Sequence, residues 1–254
     1  MITYMLIILL VLYQICNGEP KPKWHLVKLL GKLDHKKENT IKESNGRLHE
    51  GSSNRAFGFG GCNAIFTILS EKGKNAIVSK HNELRRKVAK GEELGQPPAA
   101  NMREMVWSEE LAELAQISIN SDPTCYPDHD NTDMYGQNIG MDYANYEEQD
   151  QSTAELLFPK IVNSWYSEVE FFHRSPSRFT YNPVDGHYTQ VVWADSHEVG
   201  CGTAYYPKDD QFYISMVCNY RVAGNIASGA SLYTEGKACS ACPDGTSCSN
   251  GLCA

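Results

Sequence analysis

A single imidazole stands at the head of the run Gly186-His187-Tyr188-Thr189-Gln190-Val191-Val192-Trp193. The β-branched and aromatic residues that follow predict a strand over Val191 to Trp193, with His187 at its mouth. An imidazole exchanges protons near neutral pH and ligates metals, so His187 could serve acid–base chemistry or hold an ion. A second cluster surrounds His129, where Asp128, Asp130 and Asp133 supply carboxylates. Oxygen ligands on a loop suit a divalent cation. The simpler expectation for such a cluster is a solvated acidic loop. No nucleophile is evident. Ser167 and Thr189 lie near in sequence, but hydroxyls on a helix or a strand are mostly structural.

The cysteines point away from thiol chemistry. The chain has nine, and Cys16 lies in an N-terminal segment that reads as a signal peptide over residues 1–18. Its apolar core, Met5 to Leu12, is too short to span a bilayer. Eight cysteines remain: Cys62, Cys125, Cys201, Cys218, Cys239, Cys242, Cys248 and Cys253. An even number behind a signal segment predicts disulfides in an oxidising compartment. Cys201 and Cys218 sit on two expected strands, Gly200 to Tyr206 and Phe212 to Tyr220, whose intervening Pro207-Lys208-Asp209-Asp210 predicts a hairpin turn. The last four form a dense Cys-x2-Cys-x5-Cys-x4-Cys tail. In a reducing compartment that spacing would suggest a zinc knuckle; behind a signal segment it suggests two bridges, with three connectivities open. Cys62 and Cys125 are left for each other, and closing so long a loop would add about 4 kcal/mol in the chain-entropy picture.

Charge is unevenly distributed. The chain carries 23 Lys and Arg against 31 Asp and Glu, a net of −8. Residues 19–61 hold 9 basic and 5 acidic side chains, which leaves 14 against 26, a net of −12, for the rest. An acidic main domain excludes nucleic acid as an expected partner. The basic segment is polar and ends in Gly58-Phe59-Gly60-Gly61, as a leader or removable propeptide would. No later segment is apolar enough for a transmembrane anchor.

The elements that must position His187 are legible by period. Ile77, His81, Leu84 and Val88 recur at helical spacing between Glu71 and Lys90, with Gly91 as the stop. His81 on that stripe reads as a hydrogen-bonded core histidine. Ser108 is an N-cap candidate with Glu109 and Glu110 in the first turn, Leu111, Leu114, Ala115 and Ser118 as the inner face, and Asp122-Pro123 as the end. A third helix is expected from Pro159, with Ile161, Trp165, Val169 and Phe172 as its stripe. A weaker helix or a loop occupies Asn145 to Leu157. Helices lead and hairpins follow, which predicts an α+β fold over residues 62–233 and a disulfide appendage over residues 234–254.

Several runs together are more specific than any alone. His187 to Trp193, Val199-Gly200-Cys201-Gly202 and Val217-Cys218-Asn219-Tyr220 resemble the paired signatures of the CAP superfamily, the cysteine-rich secretory, antigen 5 and pathogenesis-related class 1 proteins. His81-Asn82-Glu83-Leu84-Arg85, the stretch from Pro97-Pro98-Ala99-Ala100-Asn101-Met102 to Ala112, and Tyr135-Gly136-Gln137-Asn138-Ile139 agree, in order. The Pro-Pro-Ala-Ala-Asn-Met run and Gln137 look most like arthropod antigen 5 allergens, and the tail resembles the hinge of cysteine-rich secretory proteins. The resemblance implies a three-layer α-β-α sandwich with an antiparallel sheet and a short disulfide-rich tail. It implies the bridges Cys62–Cys125, Cys201–Cys218, Cys239–Cys248 and Cys242–Cys253.

It also implies a cleft with two histidines and two acids. Matched by position, the histidines are His129 and His187, and one acid is Glu168; the second acidic position holds Gln137. Two imidazoles could hold Zn²⁺ weakly, short of the three protein ligands of most catalytic zinc sites, and no cofactor is required. Glu168 could orient an imidazole or take a proton, whereas the Gln137 amide can only hydrogen-bond. The balance is against an enzyme. The expectation is a secreted, monomeric effector of venom or saliva that binds an extracellular protein target. The alternatives are a lipid or sterol carrier, built on a groove between apolar helices, and a zinc-assisted protease.

Overall fold

The computed structural model describes residues 64, 69–144, 155–208, 211–226 and 230–254. The expected signal peptide over residues 1–18, the expected leader over residues 19–61, Cys62 with its expected bridge to Cys125, and residues 145–154 lie outside the described residues.

Helix α1, Glu71–Ala89, begins where the Ser70 hydroxyl accepts the Gly73 N–H at 3.1 Å, satisfying one of the open donors of the first turn. Its stripe of Ile77, His81, Leu84 and Val88 is buried, and Gly91 follows with φ of 72°, a left-handed stop that suits glycine. Strand β1, Val106–Trp107, leads into α2, Glu109–Ser121. Ser108 holds the N-cap position without a side-chain cap; its N–H instead donates to the Val199 carbonyl at 2.9 Å, pinning the helix start to the sheet. Strand β2 is Gly136–Ala144 and α3 is Phe158–Ser167, continued by a 3-10 turn over Glu168–Phe171 that still delivers Phe172 to the core. The six-residue α4, Gly186–Val191, precedes the hairpin β3, Glu198–Lys208, and β4, Gln211–Arg221. In the tail β5, Cys248–Ser249, pairs with β6, Leu252–Cys253.

The main sheet runs β1-β3-β4-β2, antiparallel except for the short parallel β1–β3 pair. Cys201 lies directly opposite Cys218 in the hairpin, and the two form a disulfide across a Cα separation of 4.1 Å. Alternation along the strands splits the core in two. Ile214, Met216, Cys218 and Tyr220 of β4 point into the large cluster beneath α1 and α3, whereas Val217 joins Ala204, Tyr206 and Ile139 in a smaller cluster under α2. Two buried faces make the α-β-α sandwich. Helix α2 approaches the sheet very closely: a Cβ on Gly200 would lie 2.2 Å from the Ser108 carbonyl, and one on Gly202 2.5 Å from the Gln116 nitrogen.

Three features depart from expectation. Val191 to Trp193 is not a strand; the run starting at Gly186 is helical through Val191. Tyr188, Thr189, Gln190 and Val191 are all buried, so packing on every side overrides the β-branched preference. Strand β2 was not expected, because two glycines and few β-branched residues hide it. Gly140 is needed there because a Cβ would sit 2.8 Å from Trp165 Nε1. The tail is no free appendage. Leu252 is buried in the large core cluster, the Cys253 N–H donates to the Met102 carbonyl at 2.8 Å and the Cys253 carbonyl accepts from Glu104 N at 2.9 Å. Its bridges are Cys239–Cys248 and Cys242–Cys253. Among the described residues no helix is long and apolar enough to cross a membrane.

Candidate functional site

Helix α4 owes its position to buried polar contacts. Arg85, at 0% exposure, uses every guanidinium N–H on backbone carbonyls: Nε on Arg103, Nη1 on Val191 and Trp193, Nη2 on Ala194 and Ser196, all between 2.8 and 3.1 Å. A cation at the C-terminal end of α4 also meets the negative end of the helix dipole. Burial lowers the pKa of Arg85. At the other end Asp185, fully buried, takes a bidentate pair from Arg174 at 2.6 and 2.7 Å. Asn225, with φ of 57°, donates to the Gly186 carbonyl at 2.8 Å and accepts from Thr189 Oγ1 at 2.6 Å.

This frame sets His187 on the wall of a cleft of about 530 Å³ that His129, Asp130, Gln137, Asn138 and Tyr181 also line. Glu168, at the start of the 3-10 turn after α3, serves α4 with both oxygens. Oε1 meets His187 Nδ1 at 2.6 Å, and Oε2 accepts the backbone N–H groups of His187 and Tyr188 at 2.9 and 3.2 Å. A carboxylate can only accept, so His187 carries a proton on Nδ1, and in the neutral imidazole Nε2 then holds the lone pair. The ring stacks on Trp165 at 6.1 Å.

His129 is exposed and held by Gln137. Gln137 Oε1 accepts the Asp130 N–H and faces His129 Nδ1, both at 3.0 Å; its Nε2 donates to Asp130 Oδ2 at 2.9 Å and Asn219 Oδ1 at 3.0 Å. The carboxylate and the backbone N–H fix which amide atom is which, so His129 also carries its proton on Nδ1. Asp130 is the centre of this loop: Tyr135 Oη donates to it at 2.8 Å and Ser118 Oγ at 3.1 Å. Burial first, and the Asp130 carboxylate second, push the Tyr135 phenol pKa up. A glutamate at position 137 would face that carboxylate without a proton to share, which is the physical reason an amide fits here. Asp128 and Asp133 are exposed, as a solvated loop predicts, but Asp130 is structural.

The cleft therefore gathers His129, Gln137 and His187, while Glu168 bonds His187 without lining the cleft, and Ser167 and Thr189 have no role in it. Ser167 Oγ donates to the Ser164 carbonyl at 2.7 Å, and Thr189 is buried against Asp185, Gly186 and Asn225. Sequence reasoning missed the roles of Asp130, Tyr135 and Asn225. The Gly224-Asn225 pair was a usable signal, because asparagine after glycine marks a left-handed turn. His81 is the core histidine it was expected to be: buried, with Nδ1 on the Ile77 carbonyl at 2.8 Å and Nε2 on Tyr220 Oη at 2.9 Å. A zinc ion would find two free imidazole nitrogens here. Among the described residues, the cleft presents no group of three ligating side chains.

The chain matches the CAP family (cysteine-rich secretory protein family) over residues 78–220. It belongs to that family. It is 42% identical over 172 residues to a venom allergen 5 of Microctonus hyperodae, spanning 63% of this chain and 71% of the relative. It is 36% identical over 191 residues to cysteine-rich secretory protein 2 of Cavia porcellus, spanning 75% and 71%. Among solved structures it resembles NaASP2 with Zn²⁺, at 28% identity and a TM-score of 0.58, covering 76% of this chain and all of that one.

Proposed function

We infer that this CAP protein is a secreted, venom-type effector that acts by binding an extracellular protein target through its cleft and surrounding loops, and not by hydrolysis. The observation that carries this reading is the state of the cleft's polar groups. Glu168 accepts three hydrogen bonds from α4, Gln137 uses both amide atoms on neighbours, and neither hydroxyl considered as a nucleophile faces a free base. The imidazoles could act as bases, but a hydrolase also needs a nucleophile for the base to activate, and the Ser167 and Thr189 hydroxyls are engaged elsewhere. What remains available is two imidazole nitrogens on a preformed polar wall. The similarity to venom allergens and cysteine-rich secretory proteins supports secretion. The stripes on α1 and α3 that a lipid groove would require pack into the core instead. Incubation with a mixed peptide library, with and without a chelator, tests the reading. It predicts no chelator-sensitive cleavage; cleavage abolished both by chelator and by His187→Ala would overturn it.

A second reading concerns metal. Two lone-pair-bearing Nε2 atoms on one cleft favour weak Zn²⁺ binding by His129 and His187, and the similar NaASP2 structure contains Zn²⁺. Calorimetric titration should show one weak site that His129→Ala and His187→Ala each remove; tight binding that survives both substitutions contradicts it.

A further inference from the structure

The cleft is short of positive charge. Its lining includes Asp130, His129 and His187 but no lysine or arginine. Asp130 takes its side-chain hydrogen bonds from the neutral Tyr135 and Ser118 hydroxyls and the Gln137 amide. Glu168, which holds His187, takes its own from the imidazole and two backbone N–H groups. Arg174 is committed to Asp185 in a bidentate pair. Among the described residues neither Asp130 nor Glu168 forms an ion pair with a lysine or arginine. Two carboxylates held by neutral donors therefore leave a negative field that the concave wall focuses. The exposed Asp128 and Asp133 of the same loop add to it, and the chain outside residues 19–61 carries a net of −12. In their neutral form the Nε2 atoms of His129 and His187 are acceptors, so the cleft offers lone pairs to a ligand that brings N–H donors. Tyr181, 52% exposed, lines the same cleft and adds an aromatic ring on which a planar cation can stack. The exposed Met134, Val184 and Ile226 adjoin the lining residues Tyr135, Pro183 and Asn225 in the chain, and give the rim apolar surface for a side-chain stem.

We propose that the cleft receives an arginine side chain from a basic, exposed segment of the protein target. The proposal rests on the reading of the cleft as a binding surface and names the chemistry of what binds. A guanidinium presents several N–H donors in one plane, so it can meet both imidazole lone pairs and still stack on Tyr181. A lysine ammonium is a more strongly hydrated point charge without that plane. An acidic segment would bring its charge against Asp130 and Glu168, and a neutral one would leave their field unused. Zn²⁺ draws on the same two lone pairs, so metal and guanidinium compete for the cleft.

The test is fluorescence anisotropy on the full chain with four labelled glycine–serine peptides of one length, whose two central residues are arginine, lysine, citrulline or glutamate. Citrulline keeps the shape of arginine and removes its charge. The arginine peptide should bind, the lysine peptide about threefold more weakly, and the other two at least about tenfold more weakly. Added salt should weaken the arginine peptide, and Zn²⁺ should displace it. Asp130→Asn can keep its neighbours, with the amide oxygen on Tyr135 and Gln137 and the nitrogen on Ser118 Oγ, yet it removes the charge. It should cost about tenfold in affinity, and Tyr181→Ala about threefold, while Asp244→Asn in the exposed tail changes nothing. Thermal melts confirm that each variant is folded. Citrulline or glutamate peptide bound as tightly as arginine peptide, and lost with His129→Ala plus His187→Ala, would overturn the arginine assignment and keep the cleft as the binding surface. Arginine-peptide binding untouched by Asp130→Asn and by the double histidine variant would overturn both. No peptide bound more tightly than about 1 mM would overturn the proposal, and the peptide-library cleavage assay still judges the non-hydrolytic reading by itself.

Discussion

His81 and His187 are joined by a short polar chain and live in opposite environments. His81 Nε2 meets Tyr220 Oη at 2.9 Å, Asn138 Nδ2 lies 3.4 Å from that phenol, and the same Nδ2 donates to the His187 carbonyl at 3.1 Å. At the buried end, around His81 and Arg85, polar groups meet only fixed protein partners. At the cleft end, around His187, Glu168 and His129, each side chain is fixed on one side and open to solvent on the other. All three imidazoles face an acceptor at Nδ1, but only those of the cleft keep Nε2 free. The buried region holds the fold; the cleft inherits a geometry that a ligand can use.

If that division is right, substitution effects should fall steeply from core to cleft. Arg85→Met should have the largest effect, because it removes five buried hydrogen bonds, one to the Arg103 carbonyl and four to carbonyls between Val191 and Ser196. A loss of at least about 4 kcal/mol in denaturant unfolding is expected, from several charge-assisted bonds and their buried acceptors. A loss under about 1 kcal/mol would erase the distinction between the two regions.

His81 gives the next effect, and it appears as a pH dependence. Burial lowers its pKa to about 4 from the ordinary value of 6.5. The unfolded chain therefore binds more protons between those values, so stability is full above about pH 6.5 and falls as pH drops toward 4. The drop amounts to about 3 kcal/mol. Thermal melts across this window should show the slope in the wild type, and His81→Gln should flatten it.

Glu168→Gln sharpens the comparison from the cleft side. It removes the charge that caps two N–H groups of α4 and fixes the His187 proton, and should lower stability by about 1–2 kcal/mol in denaturant unfolding. His129→Ala should be smallest, within about 0.5 kcal/mol, because the ring is exposed and its partner Gln137 remains held by Asp130 and Asn219. A His129→Ala loss exceeding that of Glu168→Gln would invert the ordering.

Much of this frame was legible in the chain. The α1 stripe, the α2 start near Ser108 and the β3–β4 hairpin follow from periodicity and turn chemistry, which are local. Helix α4 and strand β2 were not, because their states are decided by neighbours: α4 is helical amid complete burial and five carbonyl contacts from Arg85, and β2 places Gly136 and Gly140 where other side chains come too close for a Cβ. The cleft was readable as residue types through family resemblance. The role of Asp130 was hidden, since a loop aspartate reads the same whether it faces water or receives Tyr135, Ser118 and Gln137. Gln137 alone looks like a lost acid; beside Asp130 it is a matched donor.

The central claim is that Glu168 and Gln137 lock both cleft imidazoles with the proton on Nδ1, leaving two Nε2 lone pairs facing one polar wall. Multiple-bond ¹H–¹⁵N NMR of the histidine side chains at neutral pH tests it directly. Both His129 and His187 should show a protonated Nδ1 and an unprotonated Nε2. A protonated Nε2 with a bare Nδ1 on either ring would contradict the account.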